Sequence, residues 1–292
     1  MNRRNFLRTT TAAAAAFSTG NAFAALAADV QYRKNIGIQL YTLRGPLGKD
    51  PAGTLVKVAE MGYKQVEMYG FPNCKPLIDG SKAAGLTMNS THFNWDSAVN
   101  PKDAEFSDFR KILDQAKEIG LKHLVVPSLM GGNRSSADAW KKTAENLNKA
   151  AEHAKAAGIE LGYHNHAFEF QPMKEGGTGY EIFMKEFSKD MKFEVDVFWV
   201  KVAGIDPAEL ITKLSGRVTQ LHLKDLKKDF KTPNFGGVSG DAYKELGNGQ
   251  IEFEPILAAA KKAGVVHCHV EQDVSPDPLA SVKQSIEWLA KL

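Results

Sequence analysis

The chain has 292 residues, 24% of them charged, with two cysteines and no Pro-, Gly- or Ser-rich linker, a composition that fits one large domain. Three of its 37 basic residues, Arg3, Arg4 and Arg8, precede any mature segment, which leaves 34 basic against 34 acidic side chains. That balance argues against a nucleic-acid or membrane-surface partner, and no later apolar run is long enough to span a bilayer.

Arg3 and Arg4 are followed by Phe6 and Leu7, an alanine-rich uncharged stretch, and two small-residue cleavage options, Ala22-Phe23-Ala24 and Ala25-Leu26-Ala27. This pattern looks like a twin-arginine export signal, a receptor-read address and not an anchor. Residues 1–30 are therefore set apart from a single domain over 31–292. The expectation is a soluble periplasmic protein carried by the twin-arginine export machinery, with no membrane anchor.

From there, short strand-like runs alternate with amphipathic helical ones, which predicts a parallel sheet wrapped by helices. Strands are expected at 36–41, 65–68, 86–91, 124–127, 160–165, 192–197, 218–224 and 265–271. The clearest helices fall at 103–119, 137–157, 252–263 and 278–292. Several close on one phrase, a glycine past the last turn followed by an apolar strand: Gly62, Gly85, Gly120, Gly158 and Gly264. A phrase recurring in this way is what a repeated β/α unit produces. The longest irregular stretch, 226–250, begins at the rim where barrel enzymes keep their chemistry and is read as a substrate lid. Cys74 and Cys268 sit in dissimilar contexts and are expected to be buried free thiols.

Four of the later strands finish with ionisable side chains at alternate positions: His164 and His166, Glu194 and Asp196, His222 and Lys224, His269 and Glu271. Residues two apart in a strand share a face, so each pair points one way and its apolar neighbours the other. In a closed parallel barrel these groups would meet at the carboxyl end as a metal site. Imidazoles mixed with carboxylates suit one divalent metal ion, Mn2+, Co2+, Fe2+ or Zn2+, better than Mg2+ or Ca2+.

The segments Leu161-Gly162-Tyr163-His164-Asn165-His166, Glu194-Val195-Asp196, His222-Leu223-Lys224-Asp225, Gly247-Asn248-Gly249-Gln250-Ile251-Glu252-Phe253 and Val270-Glu271-Gln272-Asp273 resemble, in their order, the xylose-isomerase-like TIM barrels. That superfamily takes in sugar phosphate isomerases and epimerases, inosose dehydratases and AP endonucleases. The phrasing is most similar to inosose-dehydratase-like and 3-keto-glycoside-lyase-like members. The resemblance implies an α/β fold, a (β/α)8 TIM barrel, and one divalent metal held by Glu, Asp, His and Glu at the ends of the fifth to eighth strands. Matched by motif, the ligands fall on His164, Asp196, His222 and Glu271. His164 stands where many relatives have Glu, which removes one of the two bases that epimerases use.

The implied activity is proton abstraction next to a carbonyl of a keto-sugar, cyclitol or 3-oxo-glycoside, followed by isomerisation or elimination through an enediolate. Loss of one glutamate favours elimination, which needs one base and one acid. Candidate bases are Glu271, Glu169 and His166. Lys224 would steady an oxyanion or protonate a leaving group, or else simply pair with Glu194. Gln39, Tyr41, Glu67, His92 and Asn165 are candidate substrate contacts, with Trp95, Phe168 and Trp199 offering faces to a sugar ring. His123 and His153 are read as structural or solvent-facing, and His267 and His269 as hydrogen-bonded barrel packing. The expected partner is a small carbohydrate, and a homo-oligomer is compatible with the chain. Two other readings stand beside this one: an AP-endonuclease-like metal phosphodiesterase, and a non-catalytic sugar-binding barrel.

Overall fold

A computed structural model describes residues 35–292; the leader expected over 1–30 lies outside the described residues. Eight parallel strands close into a barrel: β1 (Gly37–Gln39), β2 (Gln65–Phe71), β3 (Thr87–Phe93), β4 (His123–Val126), β5 (Glu160–His164), β6 (Met191–Asp196), β7 (Val218–Leu223) and β8 (His267–Val270). Each strand is followed by an outer helix: α1 (Pro51–Glu60), α2 (Lys75–Ala83), α3 (Ser107–Glu118), α4 (Ala137–Ala156), α5 (Gly179–Glu186), α6 (Pro207–Lys213), α7 (Phe253–Ala263) and α8 (Pro278–Leu289). This is the expected (β/α)8 barrel, with all eight strands found where the periodicity places them, within a few residues at their ends. The first is shorter than expected because the chain turns into a 3-10 helix, Leu40–Leu43, whose entry is capped by the Gln39 side chain.

Local chemistry explains where the helices start. Asp50, Asp206 and Asp277 each accept a hydrogen bond from a first-turn backbone N–H, and each is followed by a proline at the first helical position. Thr178 and Glu181 form a reciprocal capping box at the start of α5. At the other ends, Gly62, Gly85, Gly120, Gly158 and Gly264 all take the left-handed backbone that the recurring phrase implied.

The apolar core lies between barrel and helices, not inside the barrel. Outward residues such as Val66, Leu124, Leu161, Tyr163, Val195 and Leu221 are buried against Leu55, Phe109, Leu147, Phe183 and Ile211 of the helices. Tyr163, Phe183 and Trp140 meet edge-on at centroid separations of 4.8 and 4.9 Å. The barrel interior is polar instead. Gln39, Gln65, Glu67, Ser90, Glu194, Gln220, His222 and His269 are all buried there, in place of the branched apolar layers that commonly fill such barrels. Among the described residues no helix is long and apolar enough to cross a membrane. Both cysteines are free and buried.

Candidate active site

Strand register brings the ionisable pairs together. His164 lies level with Glu194, Asp196 with His222, and His222 with His269, while Glu271 follows one residue beyond β8. The resulting cluster opens into a cavity of about 670 Å³ at the carboxyl end of the barrel, a volume suited to a small-molecule ligand. Its walls include Tyr41, Tyr69, His92, Trp95, His164, His166, Lys224, Glu271 and Asp273.

Glu271 on the cavity wall and the fully buried Asp196 and His222 behind it place one ligand atom each within 4.8 Å of the others. His222 Nδ1 is 2.8 Å from Glu271 Oε2 and 4.0 Å from Asp196 Oδ2, and His164 Nε2 is 3.8 Å from the same Asp196 oxygen. Lys224 Nζ lies 3.0 Å from Asp196, 2.8 Å from Glu271 and 2.8 Å from Asp273. Its partners are thus these three carboxylates and not Glu194, which corrects the simple pairing considered from sequence.

The donor set fits a divalent cation. Three carboxylates face one ammonium, so the group carries excess negative charge in a site closed to water on most sides. Asp196 Oδ2 is buried without a hydrogen-bond donor; Lys224 stands beside it as an ion pair, out of hydrogen-bonding alignment. Burial pushes the Asp196 carboxyl up to about 6 despite the nearby Lys224 charge. Burial alone would discharge His222, yet Glu194, Glu271 and Glu67 together raise its pKa well above the ordinary value. A centre that draws this much positive charge onto an imidazole is one where a metal ion can replace the proton.

His166 lines the cavity between two aromatic rings, Phe168 at 5.6 Å and Trp199 at 5.2 Å. Its Nδ1 is buried without a partner, and burial, with the charge of Lys224 added, holds the ring neutral down to about 3. Phe168 and Trp199 therefore cage a histidine and are absent from the cavity wall, whereas Trp95 does face the cavity. Tyr41 and Tyr69 meet edge-on at 5.7 Å near the mouth, with the Arg44 guanidinium 4.3 Å above the Tyr41 ring.

Several expected contacts lie elsewhere. Of the substrate candidates, Tyr41 and His92 line the cavity; Gln39, Glu67 and Asn165 do not. Glu67 is buried below His222, accepting from Gln39 at 2.7 Å and from Gln220 at 3.1 Å. Asn165 ties two strand ends together through the backbone of Asp196. Glu169, expected as a base, turns outward to accept from the Tyr163 hydroxyl at 2.8 Å and the His166 backbone at 2.8 Å, and burial raises its pKa to about 7. His267 does bond Gln65 at 3.0 Å, but both ring nitrogens of His269 lack partners, unlike the packing expected for it.

Asp273 was assigned no role from sequence, and Glu194 only a place among the strand-end pairs and a pairing with Lys224. The signal for Asp273 was its spacing, two residues beyond Glu271 on the same face. For Glu194 it was the same alternation that singled out Asp196.

A closed parallel barrel with a carboxylate and imidazole cluster under a cavity at its carboxyl end defines a barrel of the sugar-isomerase type. The chain belongs to the xylose isomerase-like TIM barrel family, whose model matches residues 55–292. It is 28% identical over 277 residues to an inosose dehydratase of Mesomycoplasma hyopneumoniae, covering 86% of this chain and 90% of that one. A sugar phosphate isomerase/epimerase from Parabacteroides distasonis has a similar structure, with a TM-score of 0.72 at 26% identity over 89% of this chain and 98% of that one. The IOLI protein, solved with a zinc atom bound, shares the fold with a TM-score of 0.64 at 15% identity, over 88% of this chain and 95% of that one.

Proposed function

We propose that this protein removes a proton from the carbon next to a carbonyl in a keto-sugar, cyclitol or 3-oxo-glycoside and then expels a β-leaving group, with one divalent cation held by His164, Asp196, His222 and Glu271. The observation that carries the reading is the cluster of Asp196, His222 and Glu271 beneath one cavity, with His164 3.8 Å from Asp196 and the Lys224 ammonium beside them. Bound there, the cation would polarise the carbonyl and its neighbouring hydroxyl. Lys224, kept charged by three carboxylates although burial opposes it, presents a fixed positive group to the oxygen on which charge develops. Glu271 faces the cavity and is positioned to take the carbon-bound proton. His166, neutral and with a free ring nitrogen, is positioned to exchange a proton with the leaving group.

Elimination is favoured over epimerisation by placement. The two carboxylates on the cavity wall, Glu271 and Asp273, both follow β8, so they serve one face of a bound ring, while imidazoles occupy the β3 and β5 side. Epimerisation needs a competent base on each face. The similarity to an inosose dehydratase supports the same choice. The test is to incubate the metal-loaded protein with inosose and 3-oxo-glucosides in D2O. Release of water or aglycone with deuterium at the carbon next to the carbonyl is expected; binding without either would make the protein a sugar receptor.

The leader supports a second reading, export to the periplasm by the twin-arginine route in folded, metal-loaded form. An Arg3→Lys/Arg4→Lys double variant is expected to accumulate unprocessed in the cytoplasm, and normal export of that variant would refute the assignment.

A further inference from the structure

Below the four side chains assigned to the cation lies a second layer, buried except for His92, whose central carboxylate the proposed chemistry does not use. At its centre is Glu194, whose carboxylate is buried and whose Oε1 is approached by three imidazole nitrogens: His164 Nδ1 at 2.9 Å, His92 Nε2 at 3.0 Å and His222 Nε2 at 3.1 Å. Two of these rings are the ones whose other nitrogens face Asp196 and Glu271.

We infer that Glu194 is the positioning residue of the centre: its Oε1 takes the Nδ1–H of His164, so that His164 Nε2 is presented upward as a lone pair for the cation, while Glu67 takes the lower N–H of His222. The inference rests on the four-residue centre proposed above. A neutral imidazole carries one N–H, and the nitrogen that holds it cannot ligate a metal. Where only one nitrogen meets a buried carboxylate, that nitrogen keeps the proton and the opposite one is left as the donor. For His164 the choice is unambiguous, since Nδ1 has Glu194 at 2.9 Å and Nε2 has its nearest carboxylate oxygen at 3.8 Å. For His222, Nε2 bonds Glu67 at 2.7 Å with Glu194 behind it at 3.1 Å, and Nδ1 meets Glu271 at 2.8 Å, so both of its nitrogens face carboxylates and the cation enters on the Nδ1 side.

The same residues are also close enough to suggest a second cation among them. The geometry favours the positioning role. The three nitrogens surround the Glu194 oxygen itself, so that oxygen fills the point on which donors to a buried ion would have to converge. The arrangement also accounts for a carboxylate buried in a barrel, because two N–H groups on one oxygen, with the His222 ring 3.1 Å away, offset a burial that would otherwise cost several kcal/mol. Its partnerless Oε2 shows that the residue is not there for ordinary packing. A carboxylate behind each imidazole makes the ring a stronger donor, which returns anionic character to a centre with two neutral ligands.

Metal-free wild-type protein carrying isotope-labelled histidine tests this directly through multiple-bond proton–nitrogen spectra. His164 is expected to hold its proton on Nδ1; a proton on Nε2 would overturn the inference. In chelator-competition titrations with Zn2+, one equivalent per chain is expected, with affinity falling about 10–100-fold in Glu194→Gln and by less in Glu194→Asp, which keeps the charge one methylene further back. An affinity within about twofold of wild type in folded Glu194→Gln would count against the role. So would two tightly bound equivalents with one lost on that substitution, which would make the deep layer a cation site. If wild type binds no Zn2+, the four-residue centre fails, and the His164 spectrum still decides what Glu194 does.

Discussion

A lysine buried as deeply as Lys224, with its side chain 1% exposed, has to meet its counter-charges inside the protein, and it meets three. Removing that ammonium leaves Asp196, Glu271 and Asp273 facing one another with no cation between them. Lys224→Met is therefore expected to destabilise metal-free protein by about 3 kcal/mol, measured by urea unfolding with chelator present, and the deficit should shrink when Zn2+ is supplied. A deficit that is unchanged by metal would separate the carboxylates from any cation site. Side-chain alternation in the sequence singled out the strand-end pairs that include Asp196, His222 and Glu271, whose ligand atoms lie within 4.8 Å of one another. It could not rank depth. β2 runs four residues beyond Glu67, which therefore lies deep in the barrel beside His222, while His92 near the end of β3 reaches the cavity. Glu169 was misplaced for a related reason: it follows a strand end in a 3-10 turn, Phe168–Phe170, where the two-residue period no longer reports direction.

Among the connecting segments, the long stretch after β7 is the one whose order has an evident cause. Asp225, next to Lys224, accepts from the backbone N–H groups of Leu226 at 2.8 Å, Gly247 at 3.0 Å, Gly249 at 2.8 Å and Ile251 at 3.1 Å. One carboxylate thus ties both ends of the loop to the barrel rim. A side chain at Gly249 would run into that carboxylate at 2.1 Å, which explains a glycine there. Two residues at each end, Asp225–Leu226 and Tyr243–Lys244, pair as a short antiparallel ribbon, so the segment read from sequence as wholly irregular is partly ordered. Asp225→Ala is expected to cost about 3 kcal/mol and to abolish hydrogen-exchange protection at Gly247, Gly249 and Ile251 while leaving the amides of β4 and β5 protected. Retained protection at the loop would show that the clamp is incidental. Glycines and aspartates marked these turns in the sequence, but a carboxylate gathering amides from 22 to 26 residues away is a tertiary fact that no local pattern announces.

The fold as a whole was readable because an apolar strand and a helix alternate eight times, with five of the helix-to-strand joins marked by a glycine cap, a repetition that a closed barrel satisfies with short connections. What the pattern did not reveal is how polar the barrel interior is. At its amino end His123 packs edge-on to His267 at 5.4 Å, and burial, with His267 adding to it, holds the His123 ring down to about 4. Glu160 lies 3.3 Å from His123 Nδ1 but is half exposed, so it offsets little of that effect. Because the folded pKa is below the unfolded value of about 6.5, the unfolded chain binds more protons between those two values, and stability falls as pH drops through that window. The share due to His123 amounts to about 3 kcal/mol by pH 4. Urea unfolding at neutral and acidic pH should show a shallower acid loss in His123→Gln than in wild type; parallel curves would remove His123 from the account.

The central claim, a single divalent cation held at the carboxyl end of the barrel, is tested most directly by anomalous diffraction from crystals of Zn2+-loaded protein. The account predicts one strong peak per chain, about 2.0–2.2 Å from His164 Nε2, His222 Nδ1 and oxygens of Asp196 and Glu271. A peak in the deeper layer around Glu194, or none at full zinc loading of an active protein, would contradict it.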